Sequence, residues 1–88
     1  MQKQQSFVPE KTEKFLTENG WEIVYDRPPD GHQTWQKYHQ GFWELLIYLM
    51  EDGRHHCELW CGSHAIKPEV VFSLRSIKAV LRRRGLAT

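Results

Sequence analysis

The sequence predicts an α+β domain: a four-stranded antiparallel meander with an N-terminal and a C-terminal helix packed on one face, in the order α-β-β-β-β-α. Two observations predict this fold. Four runs of aromatic and aliphatic residues, each of strand length, follow one another with glycine or proline between them. Helical patterns occur only before the first run and after the last. Such an order forms a sheet that the helices cover on one face.

The first helix is predicted from Glu10 to Glu18. Pro9 suits a first helical position because its φ is fixed near the helical value. Asn19-Gly20 offers a left-handed C-terminal cap. The next run, Trp21 to Tyr25, alternates with a period of two and predicts a strand. The proline-rich segment 27–31 cannot pair in a sheet and predicts a loop.

Three further strands and the last helix complete the predicted fold. The strands span about 33–39, 42–50 and 55–61, and Gln40-Gly41 and Asp52-Gly53 separate them. Lys67-Pro68 opens a final helix that reaches Arg84, and Gly85 ends it. Apolar residues at helical spacing supply the inner stripe of this helix: Val70, Leu74, Ile77 and Leu81.

Length and composition favour one small intracellular domain. Eighty-eight residues allow a single modest core, since a chain of this size buries only about 60–65% of its unfolded surface. We expect a disordered polar tail at residues 1–6 and one α+β domain at 7–88. No apolar run approaches the roughly 18 residues of a membrane span, and the N-terminus leads to no signal-peptide core. Two cysteines in such a chain indicate reduced thiols, so a cytoplasmic protein without membrane contact is predicted.

The turns decide which side chains share a face of the sheet. A two-residue Gln40-Gly41 turn places Lys37 opposite Glu44 and Tyr38 opposite Trp43, which gives an opposite-charge pair and an aromatic pair. For the next hairpin, a two-residue Asp52-Gly53 turn competes with a three-residue loop in which Gly53 is left-handed. The longer loop gives the cleaner apolar face and is preferred, because it sets Leu45, Ile47 and Leu49 beside Leu59, Cys57 and His55.

This register predicts a core face and an outer face. The predicted core face holds Tyr38, Trp43, Leu45, Ile47, Leu49, Cys57, Leu59 and Cys61. The predicted outer face mixes aromatic and charged residues: Trp35, Lys37, His39, Phe42, Glu44, Leu46, Tyr48, His56, Glu58 and Trp60. Long charged side chains and the N-terminal tail could cover it. The alternative is a binding surface, since apolar patches of this size are uncommon on monomers.

The leading functional hypothesis is a small non-enzymatic interaction or regulatory protein. It would self-associate, with a homodimer as the expected form, or bind a protein partner through the aromatic-rich sheet face. Large aromatic side chains dominate interface energetics. The predicted interface residues are Trp35, His39, Phe42, Leu46, Tyr48 and Trp60.

A basic C-terminal end supports a second hypothesis, nucleic-acid binding. Five basic and no acidic residues follow Glu69, whereas seven basic and eleven acidic residues lie up to that point. Cations also favour a helix C-terminus because of the macrodipole, and the sequence pI of about 7.8 is below the range typical of nucleic-acid-binding domains. The residues of this alternative are Arg75, Lys78, Arg82, Arg83 and Arg84.

Catalytic and metal chemistry receive little support. In one strand, Cys57 and Cys61 lie about 13 Å apart at roughly 3.3 Å per residue, which prevents a shared metal and a disulfide. Cys61 and His64 could meet across the Gly62-Ser63 turn, so a small metal- or thiol-dependent protein is a minor alternative. We predict no catalytic residue, no cofactor and no metal site.

Overall fold

The computed structural model describes residues 7–27, 31–67 and 69–88. The predicted tail at 1–6 and residues 28–30 of the predicted loop lie outside them, as does Pro68. The helices are α1 (Glu10–Glu18) and α2 (Ile77–Arg83), with a 3₁₀ turn at Leu74–Ser76 before α2. The strands are β1 (Glu22–Arg27), β2 (His32–Tyr38), β3 (Phe42–Leu49), β4 (His55–Cys61), β5 (His64–Ala65) and β6 (Phe72–Ser73).

The sheet is an antiparallel meander in the order β1-β2-β3-β4-β5, and β6 also pairs with β4. The two short strands share the far edge of β4. β5 lies beside its last residues, with Cys61 opposite His64, and β6 lies beside its start, with His56 opposite Ser73. The α+β class and the four main strands are therefore confirmed, with two short strands added.

Both helices pack on the same face of the sheet. Leu16 of α1 and Ile77, Val80 and Leu81 of α2 are buried. They belong to one hydrophobic cluster with the sheet residues Trp35, Leu45, Ile47, Cys57 and Leu59. Burying an aliphatic side chain contributes about 1.5–3 kcal/mol relative to exposure, so this face stabilises the domain. We call it the core face.

The ends of the two helices are tied together beneath the sheet. Lys37, on the core face of β2, donates hydrogen bonds to the carbonyl of Asn19 after α1 and to that of Leu86 after α2, at 3.1 Å. The Trp21 indole donates to the same Leu86 carbonyl at 3.2 Å, and the Thr88 amide donates to the Asn19 side chain at 2.8 Å. A half-buried cation thus satisfies two carbonyls of the segments that follow the helix ends.

The hairpin between β3 and β4 has the predicted register. Leu45 lies opposite Leu59 and Ile47 opposite Cys57. Gly53 adopts a φ of +86°, which only glycine accepts without strain. The longer, bulged loop therefore replaces the two-residue turn here, as the cleaner apolar face indicated.

The hairpin between β2 and β3 differs from the prediction by one residue. Tyr38 lies opposite Phe42 and Lys37 opposite Trp43, because the connection is a three-residue loop in which Gln40 and Gly41 have φ values of 53° and 132°. A shift of one residue moves every side chain of a strand to the other face. The predicted positions of Tyr38 on the core face, and of Trp35 and Lys37 on the outer face, are therefore wrong.

The last helix begins later than its apolar spacing predicts. Residues 69–71 form a turn and Phe72–Ser73 form β6, so α2 spans only Ile77–Arg83. Phe72 lies opposite Cys57 and packs against the core. Pairing with the free edge of β4 satisfies backbone groups of this segment, and that tertiary contact prevails over the helical pattern.

Candidate functional site

The sheet face opposite the helices, the outer face, carries a mixture of aromatic and polar side chains. Strand alternation and the observed register place there Glu22, Tyr25, His32, Thr34, Gln36, Tyr38, Phe42, Glu44, Leu46, Tyr48, His56, Glu58 and Trp60. None of these residues is fully buried. In the described part of the chain, both helices lie on the opposite side of the sheet, so this face is open.

Three rings form a row across the strands of the outer face. The His32 ring stacks on the Tyr48 ring with centroids 4.9 Å apart and planes 4° from parallel. Tyr25 packs on the other side of His32 at 5.0 Å. In the register, His56 continues the row beyond Tyr48. Offset-stacked and tilted arrangements are the favoured geometries of aromatic pairs, and we call this row of Tyr25, His32 and Tyr48 the aromatic platform.

Two carboxylates lie on the same face, Glu58 diagonally beside Tyr48 and Glu44 opposite Trp60. Glu44 accepts a hydrogen bond from the Gln36 amide at 3.2 Å, and Glu58 accepts one from the Trp60 indole at 3.1 Å. A carboxylate has acceptor capacity for several bonds, so both groups can accept more. Partial burial and, to a smaller extent, the charge of Glu58 raise the pKa of Tyr48. The Tyr48 hydroxyl therefore keeps its proton and remains a donor beside Glu58.

The predicted interface residues divide into two groups. Phe42, Leu46, Tyr48 and Trp60 lie together on the outer face and are half-buried by their neighbours. Trp35 lies on the core face, is 3% exposed and donates its indole hydrogen to the buried Gln33 side chain at 2.7 Å. His39 lies in the β2–β3 loop, exposed and close to Gly85. Trp35 and His39 are thus corrections to the predicted outer face.

Sequence reasoning missed the outer-face residues of β1 and of early β2. Tyr25 and His32 flank a proline-rich loop that was predicted only as a break in the sheet. A bulge between Ile23 and Tyr25 also breaks the simple alternation of β1. The observed register puts Tyr38 on the outer face, and only from that register does the period-two pattern of β2, followed backwards, place His32 there too.

The basic residues near α2 mostly have partners within the chain. Arg84 and Arg83 approach the Glu69 carboxylate at 2.6 and 3.4 Å. Lys78 and Arg82 lie over the Phe15 ring, 5.2 and 5.9 Å from its centroid. The hydrogen bond from Arg84 is the main cause that lowers the pKa of Glu69. These contacts hold α2 to α1 and to the segment before β6, which gives four of the five cations a structural role.

The two cysteines lie on the core side of β4. Cys57 is buried, and this burial raises the pKa of its thiol to about 12, so it stays protonated and unreactive at neutral pH. Cys61 is half-buried and lies opposite His64 across the β4–β5 turn, as the Gly62-Ser63 spacing predicts. Within residues 7–27, 31–67 and 69–88, no group of three or more potential ligands is arranged to hold a metal ion.

Comparison of the chain with protein-family models, with curated proteins and with solved structures gives no match. Neither of the two α-helices that the structure describes has the length and apolar character needed to cross a bilayer.

Proposed function

We propose that this chain is a small interaction module that binds a protein partner with a basic surface through its outer face. The observation that carries the proposal is the combination of the aromatic platform with carboxylates on a sheet face that neither described helix covers. Interface cores are enriched in Tyr, Trp and Phe, and the outer face supplies all three types in Tyr48, Trp60 and Phe42.

The charge of this face favours a basic partner. Among the side chains that the structure describes there, the fully charged groups are the carboxylates Glu22, Glu44 and Glu58. An arginine of a partner can pair with a carboxylate and stack on a neighbouring ring at once. Glu58 beside Trp60 and Tyr48 offers this arrangement.

A second copy of the chain fits this face less well than a basic partner does. Two copies packed face to face would bring carboxylates of like charge together, and like charges across an interface are unfavourable. Nucleic-acid phosphates would meet the same repulsion. The basic residues at α2 lie beyond the helix layer, away from the aromatic platform, whereas a base-stacking surface needs its cations beside its rings.

The experiment measures binding of a fluorescent synthetic peptide that alternates arginine and tyrosine. Native protein should bind it, with affinity that falls as salt rises. A variant with Glu44→Lys and Glu58→Lys should bind roughly tenfold more weakly or worse, a loss of about 1.4 kcal/mol. The matched control, Glu18→Lys with Glu51→Lys, makes the same charge change at exposed positions away from the outer face and should bind like the native protein.

Three results would overturn the proposal. One is equal loss of peptide binding in both double variants, which would mean that net charge alone attracts the peptide. Another is tighter binding of a single-stranded oligonucleotide than of the peptide, abolished by Arg75→Gln and Lys78→Gln. The last is a dimer mass in sedimentation that Trp60→Ala reduces to a monomer, since a second copy would then occupy the face.

A further inference from the structure

A cavity of about 430 Å³ lies beside the start of β4, at the edge of the sheet. The residues around it come from three places: the β3–β4 loop, β4 itself, and the segment from β6 into the 3₁₀ turn. Its volume falls in the range of small-molecule sites, roughly 300–1,000 Å³. It is separate from the central part of the outer face, where Glu44, Glu58 and Trp60 lie.

Basic groups make up the polar wall of this cavity. They are Arg54, His55, His56 and Arg75, and Ser73 of β6 adds a hydroxyl. Val71, Phe72 and Leu74 form an apolar wall. None of the described residues that line the cavity is an aspartate or a glutamate. A ligand that fits both walls has an anionic head and an apolar body.

The basic groups differ in how far contacts within the chain satisfy their charge and their hydrogen-bonding capacity. Arg54 is held at the rim by Asp52, since its Nε and an Nη atom each approach the carboxylate at 2.7 Å. This contact orients the guanidinium and offsets its charge. The His55 ring is fixed by the Phe7 carbonyl at 2.9 Å and stacks on the Phe7 ring at 5.9 Å. Arg54 and His55 are therefore held in place by contacts within the chain and shape the cavity wall.

Arg75 supplies the uncompensated charge. It is exposed and, within the described part of the chain, it makes no ion pair. It also lines a second concavity of about 250 Å³ with Lys78, Phe15 and Leu74, so it stands at the centre of the basic surface on this side. An arginine guanidinium presents paired donors that match a carboxylate or phosphate.

The backbone at the cavity is strained. Val71 has a φ of +58°, a conformation that is a genuine outlier for a β-branched residue. Two features hold it there: β6 pairs with β4 directly after it, and the Glu69 carboxylate before it is fixed by Arg83 and Arg84. Strain that the surroundings impose in this way is concentrated at ligand sites.

The geometry points to this cavity as a binding site for a small organic anion, with a phosphate or carboxylate head at Arg75 and Ser73 and an apolar body against Phe72 and Leu74. The site lies at the edge of the sheet and uses residues other than the carboxylates proposed to bind a protein partner. The two proposals can therefore fail separately.

The test is calorimetric titration of the full chain with phenyl phosphate, benzoate, inorganic phosphate and phenol. We expect phenyl phosphate or benzoate to bind more tightly than inorganic phosphate and phenol, because only the first two carry both the head and the body. The tighter of the two identifies the head. Arg75→Gln should weaken binding about tenfold or more, since the variant cannot donate a charge-assisted hydrogen bond to the anionic head.

Arg82→Gln is the matched control, because Arg82 belongs to the same basic stripe but lies over Phe15 and does not line the cavity. It should bind the probe like the native protein. Phe72→Ala should weaken phenyl phosphate binding and leave inorganic phosphate unchanged. The proposal is wrong if none of the probes binds at millimolar concentration, if inorganic phosphate binds as tightly as phenyl phosphate and benzoate, or if Arg75→Gln and Arg82→Gln have equal effects.

Discussion

Two rows of residues on the central strands are adjacent in the sequence but differ in burial, in chemistry and in what they contact. Trp35, Leu45 and Leu59 lie side by side on the core face and are almost fully buried. One residue further along or back in each strand, Gln36, Glu44 and Trp60 lie side by side on the outer face and are half-buried. The first row supports the helices, and neither described helix covers the second. Alternation along a strand thus separates residues that stabilise the fold from residues available for binding.

The largest effect that separates the two rows should come from their tryptophans. Trp35→Ala removes a buried ring and is expected to cost about 3–5 kcal/mol of unfolding free energy. Trp60→Ala removes a half-buried ring from an open face and should cost about 1 kcal/mol or less. Urea denaturation of both variants measures the difference. Equal losses would show that the outer face is part of the core.

Lys37 and Gln36 allow the same comparison with polar side chains. Lys37→Met removes the donor that serves the carbonyls of Asn19 and Leu86 and should cost about 2 kcal/mol, since bonds to charged groups are worth about 1.5–3 kcal/mol. Gln36→Met removes a contact with Glu44 on the outer face and should change stability by about 0.5 kcal/mol or less. A smaller loss for Lys37→Met than for Gln36→Met would contradict the assignment of faces.

The burial of Cys57 on the core face predicts that the stability of the protein depends on pH. Its folded pKa of about 12 lies above the ordinary value of 9.0, so above pH 9 the folded state keeps a proton that the unfolded state releases. The free energy of unfolding should therefore fall as pH rises through this window, by about 2 kcal/mol at about pH 10.5. Cys57→Ala lacks this component, so its stability should fall less steeply between pH 8.5 and 10.5. Parallel curves would show that the thiol is not buried.

Glu69 should give the smallest effect and tests whether the cations near α2 serve the fold. Glu69→Gln removes the ion pairs with Arg83 and Arg84 and should lower the thermal midpoint slightly. The folded pKa of Glu69 is lowered, so its contribution is present above its ordinary pKa and is lost as pH falls through the folded pKa. The variant should therefore lose less stability than the native protein on acidification. An unchanged midpoint and acid response would mean that these arginines are free for a ligand.

The sequence was sufficient for the fold class, for α1 and for the β3–β4 hairpin, because local signals agreed there. Two signals disagree at the β2–β3 loop: the opposite-charge pair of Lys37 and Glu44 favours the shorter turn, whereas the apolar-face criterion favours a three-residue loop. A three-residue loop would have aligned Trp35 with Leu45 and Leu59. Gln40 adopts a left-handed conformation in this loop. Glycine is the usual residue for that backbone, so the sequence gives no signal for the loop at this position.

Other parts of the molecule could not be predicted because they depend on distant contacts. Phe72 pairs with Cys57 of β4, and this pairing sets where α2 begins. The spacing of apolar residues within one segment carries no information about its contact with another strand. The basic cavity brings together Arg54 and Arg75, which the sequence places on different elements. Phe42, Leu46, Tyr48 and Trp60 could be grouped correctly because they belong to one hairpin with a correct register.

The most direct test of the outer face as a binding surface uses the indole N–H signals of the four tryptophans in a nuclear magnetic resonance titration. Each indole has its own environment: Trp21 and Trp35 are buried at the core, Trp43 donates to the His39 carbonyl, and Trp60 donates to Glu58. On addition of the arginine–tyrosine peptide, the Trp60 signal should shift while those of Trp21 and Trp35 stay in place. If Trp60 stays in place at saturating peptide, or if all four signals shift together, the outer face is not the binding surface.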